Sequence, residues 1–269
     1  MILQETINLL KNKHNDYIET LRISEVRIGL FMTAIKLSDG TVGISSTSMP
    51  KDSDVHCKKS NRDFGDFSPL NITGKKVLEL IEFPNKNTIR QSLKVAVINA
   101  ISSKLLELNQ YKVLRNTDPI ELIDLNSNKT ITIVGAFQSY IDKISNTPNR
   151  LFVLEFNEEA LMGNDKRFFV PAHDYAKVLP TSDIVIITGL TIVNNTLDNL
   201  LEVIKPETMV IVTGPSSSFI PEVLFANNVK IIGAIKTTNP ELMLKVVSEA
   251  GAGYHTFKYC AEKICIINE

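Results

Sequence analysis

The sequence predicts an α/β protein in which a smaller α+β domain precedes a domain with a parallel sheet. From residue 130 onward, short runs rich in β-branched residues alternate with runs of helical spacing, which is typical of βαβ units. Before that point, helical patterns surround a hairpin pattern. A chain of 269 residues suits two domains at ~150 residues each, and we predict domains at 1–115 and 116–269.

In the first domain, apolar residues recur at helical spacing from the start of the chain, with charged residues between them. The sequence Ser38-Asp39-Gly40 separates two apolar runs, and an Asp-Gly pair suits the positive φ of a hairpin turn. The predicted elements are helices at 2–21, 73–81 and 88–108, strands at 26–37 and 41–46, and a polar loop at 50–71.

The second domain follows a stretch rich in turn residues at 109–129, which we take as the boundary region. Its apolar runs are short enough for buried parallel strands, and its helical runs separate them. The predicted strands are 130–134, 151–155, 183–188, 209–213 and 229–234, and the predicted helices are 196–204, 220–226 and 240–250.

The amino-acid composition restricts the kinds of partner that we expect for the protein. Lys and Arg number 29 and Asp and Glu 30, so the chain lacks the basic excess that is typical of nucleic-acid binding. The most apolar stretch, 184–193, is far shorter than the ~20 residues of a membrane span. The three cysteines and the N-terminal residues predict a reduced, cytoplasmic protein. We expect a small-molecule partner, no nucleic acid and no membrane, and leave a homo-oligomer open.

The ends of the predicted strands are where a parallel sheet binds ligands. Gly135 follows the first strand, and Glu155 closes the second one 20 residues later, which is the spacing of the acidic residue that grips ribose hydroxyls in nucleotide-binding folds. The other glycines of the dinucleotide motif are absent. A nucleoside-bearing ligand such as S-adenosylmethionine, an NAD-type cofactor and a purely structural turn all stay open.

Two later strand ends are rich in hydroxyl and amide groups, at 188–196 and 213–218. Such segments can bind a carboxylate or phosphate, or they can simply cap the helices that follow. Because both end strands of one sheet, we favour a shared ligand cleft over capping alone. The candidate binding residues there are Thr188, Gly189, Thr191, Asn194, Thr196, Gly214, Ser216 and Ser217, in addition to Gly135.

The remaining reactive residues give weaker signals. His173 and Asp174 are neighbours after Pro171, so His173 is a candidate general acid or base, with a loop hydrogen bond as the alternative. The spacing of His255, Cys260 and Cys265 does not form a metal-binding knuckle. We therefore predict no preformed metal site.

The strand-end motifs resemble those of the family described as "Putative heavy-metal chelation". The chain carries Thr188-Gly-Leu-Thr191, Asn194-Asn-Thr196-Leu197 and Gly214-Pro-Ser216 in the family's order, and the first domain also has counterparts, including Thr33-Ala34 and the run 95–100. The sequence departs from the family pattern at Asn195, where Gly is usual, and at Ser218, where Pro is usual. Asn tolerates the positive φ of a turn, whereas loss of the Pro alters the second loop.

The resemblance implies an enolase-N-terminal-like first domain, a Rossmann-like second domain and a site between them. The resemblance also implies functional roles for the matching residues of this chain, which are Thr33, Asn99, Glu155, Thr188, Thr191, Asn194, Thr196 and Ser216. We expect Glu155, Asn99 and His173 to be the catalytic residues. The leading hypothesis is an enzyme acting on a polar or anionic chelator, or on a pterin- or flavin-like compound, by condensation or hydrolysis. The alternatives are a non-catalytic binding protein for a metal chelate and a purely structural partner.

Overall fold

The computed structural model describes residues 1–48, 69–83, 88–108 and 111–268. Residues 50–68 of the predicted polar loop therefore lie outside the described part of the chain. A three-stranded antiparallel sheet and an eight-stranded, mostly parallel sheet organise the described residues. Within these ranges, no helix combines the length and the apolar character needed to cross a membrane.

In the described ranges, the N-terminal unit contains the smaller sheet and three helices. Its strands pair in chain order, and α3 lies against the second and third of them. Gly43 permits this close packing, because a Cβ atom there would lie 2.1 Å from the backbone oxygen of Ala96. The elements are α1 (Ile2–Thr20), β1 (Ile23–Ile28), β2 (Met32–Leu37), β3 (Val42–Ser46), α2 (Val77–Glu82) and α3 (Thr88–Leu108).

The predicted single strand at 26–37 is wrong. A turn at Gly29–Phe31 divides this run into β1 and β2, and the Gly29 N–H donates a hydrogen bond to the Met32 carbonyl. Leu30 and Phe31 are each 53% exposed, so the apolar run that suggested a continuous strand includes two residues at an exposed turn. The hairpin between β2 and β3 is confirmed, with Gly40 at φ +88°.

The large sheet contains all five predicted parallel strands, with small changes at their ends. Its strand order is β4-β11-β10-β9-β8-β5-β6-β7, and β11 runs antiparallel to both of its neighbours. The strands are β4 (Lys112–Arg115), β5 (Thr130–Val134), β6 (Arg150–Glu155), β7 (Phe169–Pro171), β8 (Ile184–Thr188), β9 (Met209–Thr213), β10 (Val229–Thr237) and β11 (Ala261–Ile267).

Helices cover both faces of this sheet. Alternate residues of each central strand face opposite ways, so Ile131 and Ile133 pack beside α4, whereas Val185 and Ile187 belong to the core that holds α6 and α7. These helices are α4 (Gln138–Ser145), α5 (Tyr175–Val178), α6 (Leu190–Val193), α7 (Leu197–Glu202), α8 (Glu222–Ala226), α9 (Pro240–Ser248) and α10 (Gly253–Tyr259).

Three strands of the large sheet, β4, β7 and β11, were not predicted. The first two have three or four residues and no buried position, so they give almost no periodic signal. Because β4 pairs with β11, the large sheet begins before residue 116. The division of the chain after residue 115 stays a prediction.

The topology identifies the edge at which a ligand would bind. The chain passes from β5 outward to β6 and β7 and then returns to β8 on the other side of β5. The strand order therefore reverses between β5 and β8. In open α/β sheets, ligands bind in the crevice outside the carboxyl ends of the strands at such a reversal.

Candidate functional site

A cavity of about 370 Å³ lies at this reversal, at the carboxyl ends of β5, β6 and β8. We call it the Glu155 pocket. Seven of the predicted site residues line it, all of them from the large α/β unit: Gly135, Glu155, His173, Thr188, Thr191, Asn194 and Thr196. The described residues that complete its wall include Phe156, Tyr175, Leu190, Asn199 and Leu200.

Backbone groups hold the Glu155 carboxylate at the rim of the first turn. The Ala136 N–H donates to Oε2 at 3.1 Å, and the Phe156 N–H donates to Oε1 at 2.6 Å. Gly135, at φ +103°, places the turn so close to β8 that a Cβ atom there would lie 3.1 Å from the Thr188 side chain. Because each carboxylate oxygen accepts more than one hydrogen bond, Glu155 can still bind hydroxyl groups of a ligand.

The segment after β8 forms the opposite wall and is shaped by its own side chains. Thr191 Oγ1 donates to the Thr188 carbonyl at 2.6 Å, and the backbone N–H and hydroxyl of Thr196 both donate to Asn194 Oδ1. Asn195 adopts φ +58°, so it supplies the turn conformation for which the family uses Gly.

His173 reaches the same pocket from the turn after β7, which spans Ala172–Asp174. Its neighbour Asp174 forms an ion pair with Lys177 at 2.6 Å, and the hydrogen bond from Lys177 lowers the pKa of Asp174. A carboxylate and an imidazole, Glu155 and His173, thus share one pocket with neutral hydroxyl and amide groups.

The predicted loop residues Gly214, Ser216 and Ser217 do not line the Glu155 pocket. Ser216 and Ser217 are fully buried, and the hydroxyl of Ser217 donates to the carbonyls of Gly214 and Gly233. Ser216 Oγ accepts a hydrogen bond from the Ser46 N–H of β3 at 2.8 Å. This loop therefore fastens the N-terminal unit to the large sheet.

Asn99 is also placed differently from our expectation. Its side chain does not face Thr191 and Asn194 across a cleft; instead Nδ2 donates to the carbonyls of Ile44, at 2.6 Å, and Pro215, at 3.0 Å. The carboxamide is 2% exposed, and it connects β3 to the loop after β9. Asn99 therefore joins the N-terminal unit to the large sheet and does not line the Glu155 pocket.

Thr33 and Gly189 likewise lie outside the pocket wall. Thr33 is fully buried on β2, with its hydroxyl 3.0 Å from that of Thr47. Gly189 donates its N–H to the Thr213 carbonyl and lies against the Gly214 loop. The glycines after β5, β8 and β9 are neighbours at one edge of the sheet, as the strand pattern predicts.

The boundary between the N-terminal unit and the large sheet has a different cavity, of about 320 Å³. None of the predicted site residues lines it. Two ion pairs involve its lining residues: Lys236 pairs with Glu107 at 3.0 Å, and Arg115 pairs with Glu262 at 2.7 Å. Seven of the predicted site residues therefore meet in the Glu155 pocket and not in this cavity between the two units, where the family resemblance implies the site.

The residues that could bind a metal are dispersed. Among the described ranges, no three His, Cys, Asp or Glu side chains are grouped to hold an ion. Cys260 and Cys265 are buried, and burial raises the pKa of the Cys265 thiol to about 12, so it stays protonated at neutral pH. His255 Nδ1 accepts a hydrogen bond from the Ala252 N–H. These residues do not fit a resident heavy-metal ion, and the absence of a preformed site stays a prediction.

Comparison with known proteins identifies the family. Two family models, both described as "Putative heavy-metal chelation", match residues 11–102 and 118–266. The chain belongs to this family. An uncharacterized protein of Methanocaldococcus jannaschii is 25% identical over 259 residues, which cover 93% of this chain and 91% of that protein.

Solved structures from the family have the same fold. A protein of unknown function from Pyrococcus horikoshii has a TM-score of 0.77 at 24% identity, covering 99% of this chain and 100% of its own. One from Desulfitobacterium hafniense, also of unknown function, has a TM-score of 0.71 at 18% identity, with coverage of 98% and 99%. Both similarities extend over nearly the whole chain and support its α/β fold.

Some pocket residues were missed by the sequence reasoning. Phe156 directly follows Glu155, and Asn199 lies three residues beyond Thr196, so helical spacing could have added Asn199 to the candidates. Tyr175 gives no such signal, because it reaches the pocket from a four-residue helix after the unpredicted strand β7.

Proposed function

We propose that this protein is an enzyme that binds a nucleoside-bearing small molecule, of the S-adenosylmethionine class, in the Glu155 pocket. One observation carries the proposal. The Glu155 carboxylate closes β6 beside the glycine turn of β5, at the reversal of strand order, and forms part of a cavity of about 370 Å³. An acidic residue at this position in nucleotide-binding sheets accepts hydrogen bonds from ribose hydroxyls.

The chemistry of the wall supports a neutral or cationic ligand over an anionic one. The described lining residues include no Lys or Arg, and their polar side chains are three threonines, two asparagines and Tyr175, besides Glu155 and His173. Phe156, the ring of Tyr175 and three leucines supply apolar surface for a base. An anionic chelator would find one acidic group and no lysine or arginine in this wall, so a nucleoside suits it better.

His173 is the group that we assign to proton transfer. Imidazole is the side chain that most often transfers protons near neutral pH, and His173 lines the same cavity as Glu155. The anchored Glu155 carboxylate orients the ligand, and His173 donates or accepts a proton at the reacting atom. The description of the family suggests a second ligand class, a metal chelate, which would enter already assembled because the described residues do not group around an ion.

A binding experiment with matched ligands tests the proposal. We expect adenosine and S-adenosylmethionine to bind in isothermal titration calorimetry and to raise the melting temperature. 2′,3′-Dideoxyadenosine should bind about tenfold more weakly, since hydrogen bonds to a charged group contribute about 1.5–3 kcal/mol. Glu155→Gln should remove this difference between the two ligands.

Glu158→Gln is the control, because Glu158 is an exposed carboxylate three residues away and does not line the pocket. It should bind adenosine like the wild type. Pterins, flavins and metal chelates belong to the same screen. Binding of a chelate alone, unaffected by Glu155→Gln, would refute the nucleoside proposal.

A further inference from the structure

A separate cavity of about 290 Å³ lies at the same edge of the large sheet, on the side of α4 rather than that of α6 and α7. We call it the Tyr140 pocket. It lies at the carboxyl end of β9 and beside the middle of β10, at Gly233, Ala234 and Ile235, and it shares no lining residue with the Glu155 pocket. Its volume is near the lower limit of small-molecule sites, so it suits a ligand of one or two rings.

Aromatic rings form much of its wall. Phe137 and Tyr140 stack with their ring centroids 5.4 Å apart, and Phe257 and Tyr254 line it from α10. Tyr254 is 70% exposed, although aromatic side chains on a protein surface usually lose more of their area to packing. The Tyr254 ring also contacts the His255 ring, with centroids 3.9 Å apart, and a flat, apolar ligand would cover part of its exposed surface.

One cation lines the cavity among the described residues, the ammonium group of Lys263 on β11. Lys263 Nζ lies 2.6 Å from Asp118 Oδ2 and 5.2 Å from the centroid of the Phe257 ring. A lysine has three N–H donors, and Asp118 accepts one of them. The others can bind an anionic or carbonyl oxygen beside the aromatic wall.

Asp118 also lines the cavity, but its carboxylate is the less accessible charge of this ion pair. Its side chain is 13% exposed, compared with 43% for Lys263. Its Oδ1 accepts hydrogen bonds from the Tyr140 hydroxyl and from the Ile120 N–H at 3.2 Å, so the carboxylate is turned toward the protein. The ammonium group of Lys263 is therefore the more accessible of the two charges for a ligand.

We propose that the Tyr140 pocket binds a planar aromatic carboxylate, with its ring against Phe137, Tyr254 and Phe257 and its carboxylate on Lys263. This ligand class follows from the pairing of one accessible cation with aromatic walls. The site is independent of the nucleoside proposal. It adds an acid of one or two rings as a second ligand of the protein.

Four probes separate charge from planarity in titration calorimetry. 2-Naphthoate should bind, whereas its uncharged amide, 2-naphthamide, should bind about tenfold more weakly, as expected for loss of a charge-assisted hydrogen bond. Cyclohexanecarboxylate keeps the charge but is not planar, and it should bind about fivefold more weakly than benzoate because it cannot stack.

Variants then locate the site on the full-length protein. Lys263→Met should weaken 2-naphthoate binding about tenfold and abolish the preference for the acid over the amide. Tyr254→Ala, at an exposed position, should weaken it about fivefold without disturbing a buried group. Lys258→Met is the matched control, since Lys258 is an exposed lysine of α10 over the ring of Tyr259 but outside the cavity.

The results of these titrations can refute the proposal of an aromatic carboxylate site. Equal affinity for 2-naphthoate and 2-naphthamide, or binding that neither Lys263→Met nor Tyr254→Ala changes, would overturn the proposal. So would failure of 2-naphthoate to bind at millimolar concentration. Glu155→Gln should leave 2-naphthoate affinity unchanged, which separates a failure of this site from a failure of the nucleoside site.

Discussion

Asn99 shows how a single polar residue joins the two units of the protein. Its side chain is buried, donates to carbonyls of β3 and of the loop after β9, and leaves Oδ1 without a hydrogen-bond partner among the described residues. Asn99→Ala would remove the Asn99 donor from the Ile44 carbonyl, whereas the Pro215 carbonyl would keep its hydrogen bond from Ser218 Oγ. We expect it to lower the free energy of unfolding by about 1–3 kcal/mol, measured by urea denaturation.

The same variant should keep its affinity for ligands of the Glu155 pocket, because Asn99 does not line that cavity. Asn126→Ala, at an exposed turn, is the stability control and should change the unfolding free energy by less than about 0.5 kcal/mol. A loss of ligand affinity in Asn99→Ala at unchanged stability would restore the shared-cleft arrangement that the family resemblance implies.

At the scale of elements, Asp118 connects three parts of the large unit. It lies in the turn after β4, accepts hydrogen bonds from Tyr140 of α4, and pairs with Lys263 of β11. Burial opposes its ionisation, but the hydrogen bonds from Lys263 and Tyr140 outweigh burial and hold the pKa of Asp118 below its ordinary value. The stability that this carboxylate contributes is present above its ordinary pKa of about 3.9 and is lost as the pH falls through the lower, folded-state value.

Asp118→Asn should therefore lower the free energy of unfolding at pH 7 by about 1–3 kcal/mol, because the charged hydrogen bonds are lost. The difference from the wild type should shrink as the pH is lowered from 5 to 2. Urea denaturation across this range measures it, with exposed Asp16→Asn as the control. A difference that does not change with pH would contradict the assignment of the acid sensitivity to Asp118.

At the scale of the whole molecule, one hydrophobic core spans both units. Leu10, Ile35 and Val97 of the N-terminal unit belong to the same buried cluster as Val185 and Val212 of the large sheet. We expect the fragment 111–269 to expose that surface, to bind a hydrophobic dye, and to melt about 10 °C or more below the full chain. Calorimetry and dye fluorescence on the two proteins test this.

The fragment also tests the division into domains. It begins before β4, so the large sheet stays complete and any loss of stability reflects the missing N-terminal unit. A fragment that melts cooperatively at the temperature of the full chain would mean that the large unit folds alone. Adding residues 1–110 in trans should restore stability if the shared core is the cause.

The sequence by itself determined the α/β class, the central strands and the strand ends at which Gly135, Glu155 and Thr188 meet. These features depend on local periodicity and on the rule that parallel strands place their carboxyl ends at one edge, so no long-range contact had to be known. The sequence also indicated that Asn195 can form the turn, because Asn tolerates the positive φ that is observed there.

Only the tertiary structure decided which polar residues join the two units and which line a cavity. Ser216 and Asn99 are residues of the types that bind ligands, yet their side chains form hydrogen bonds to the backbone of β3. The position of β11 between β4 and β10 brings together Asp118, Tyr140 and Lys263. The periodicity of the sequence does not predict this strand order. Pairing of this kind depends on the packing of segments more than 100 residues apart, and a local pattern carries no information about it.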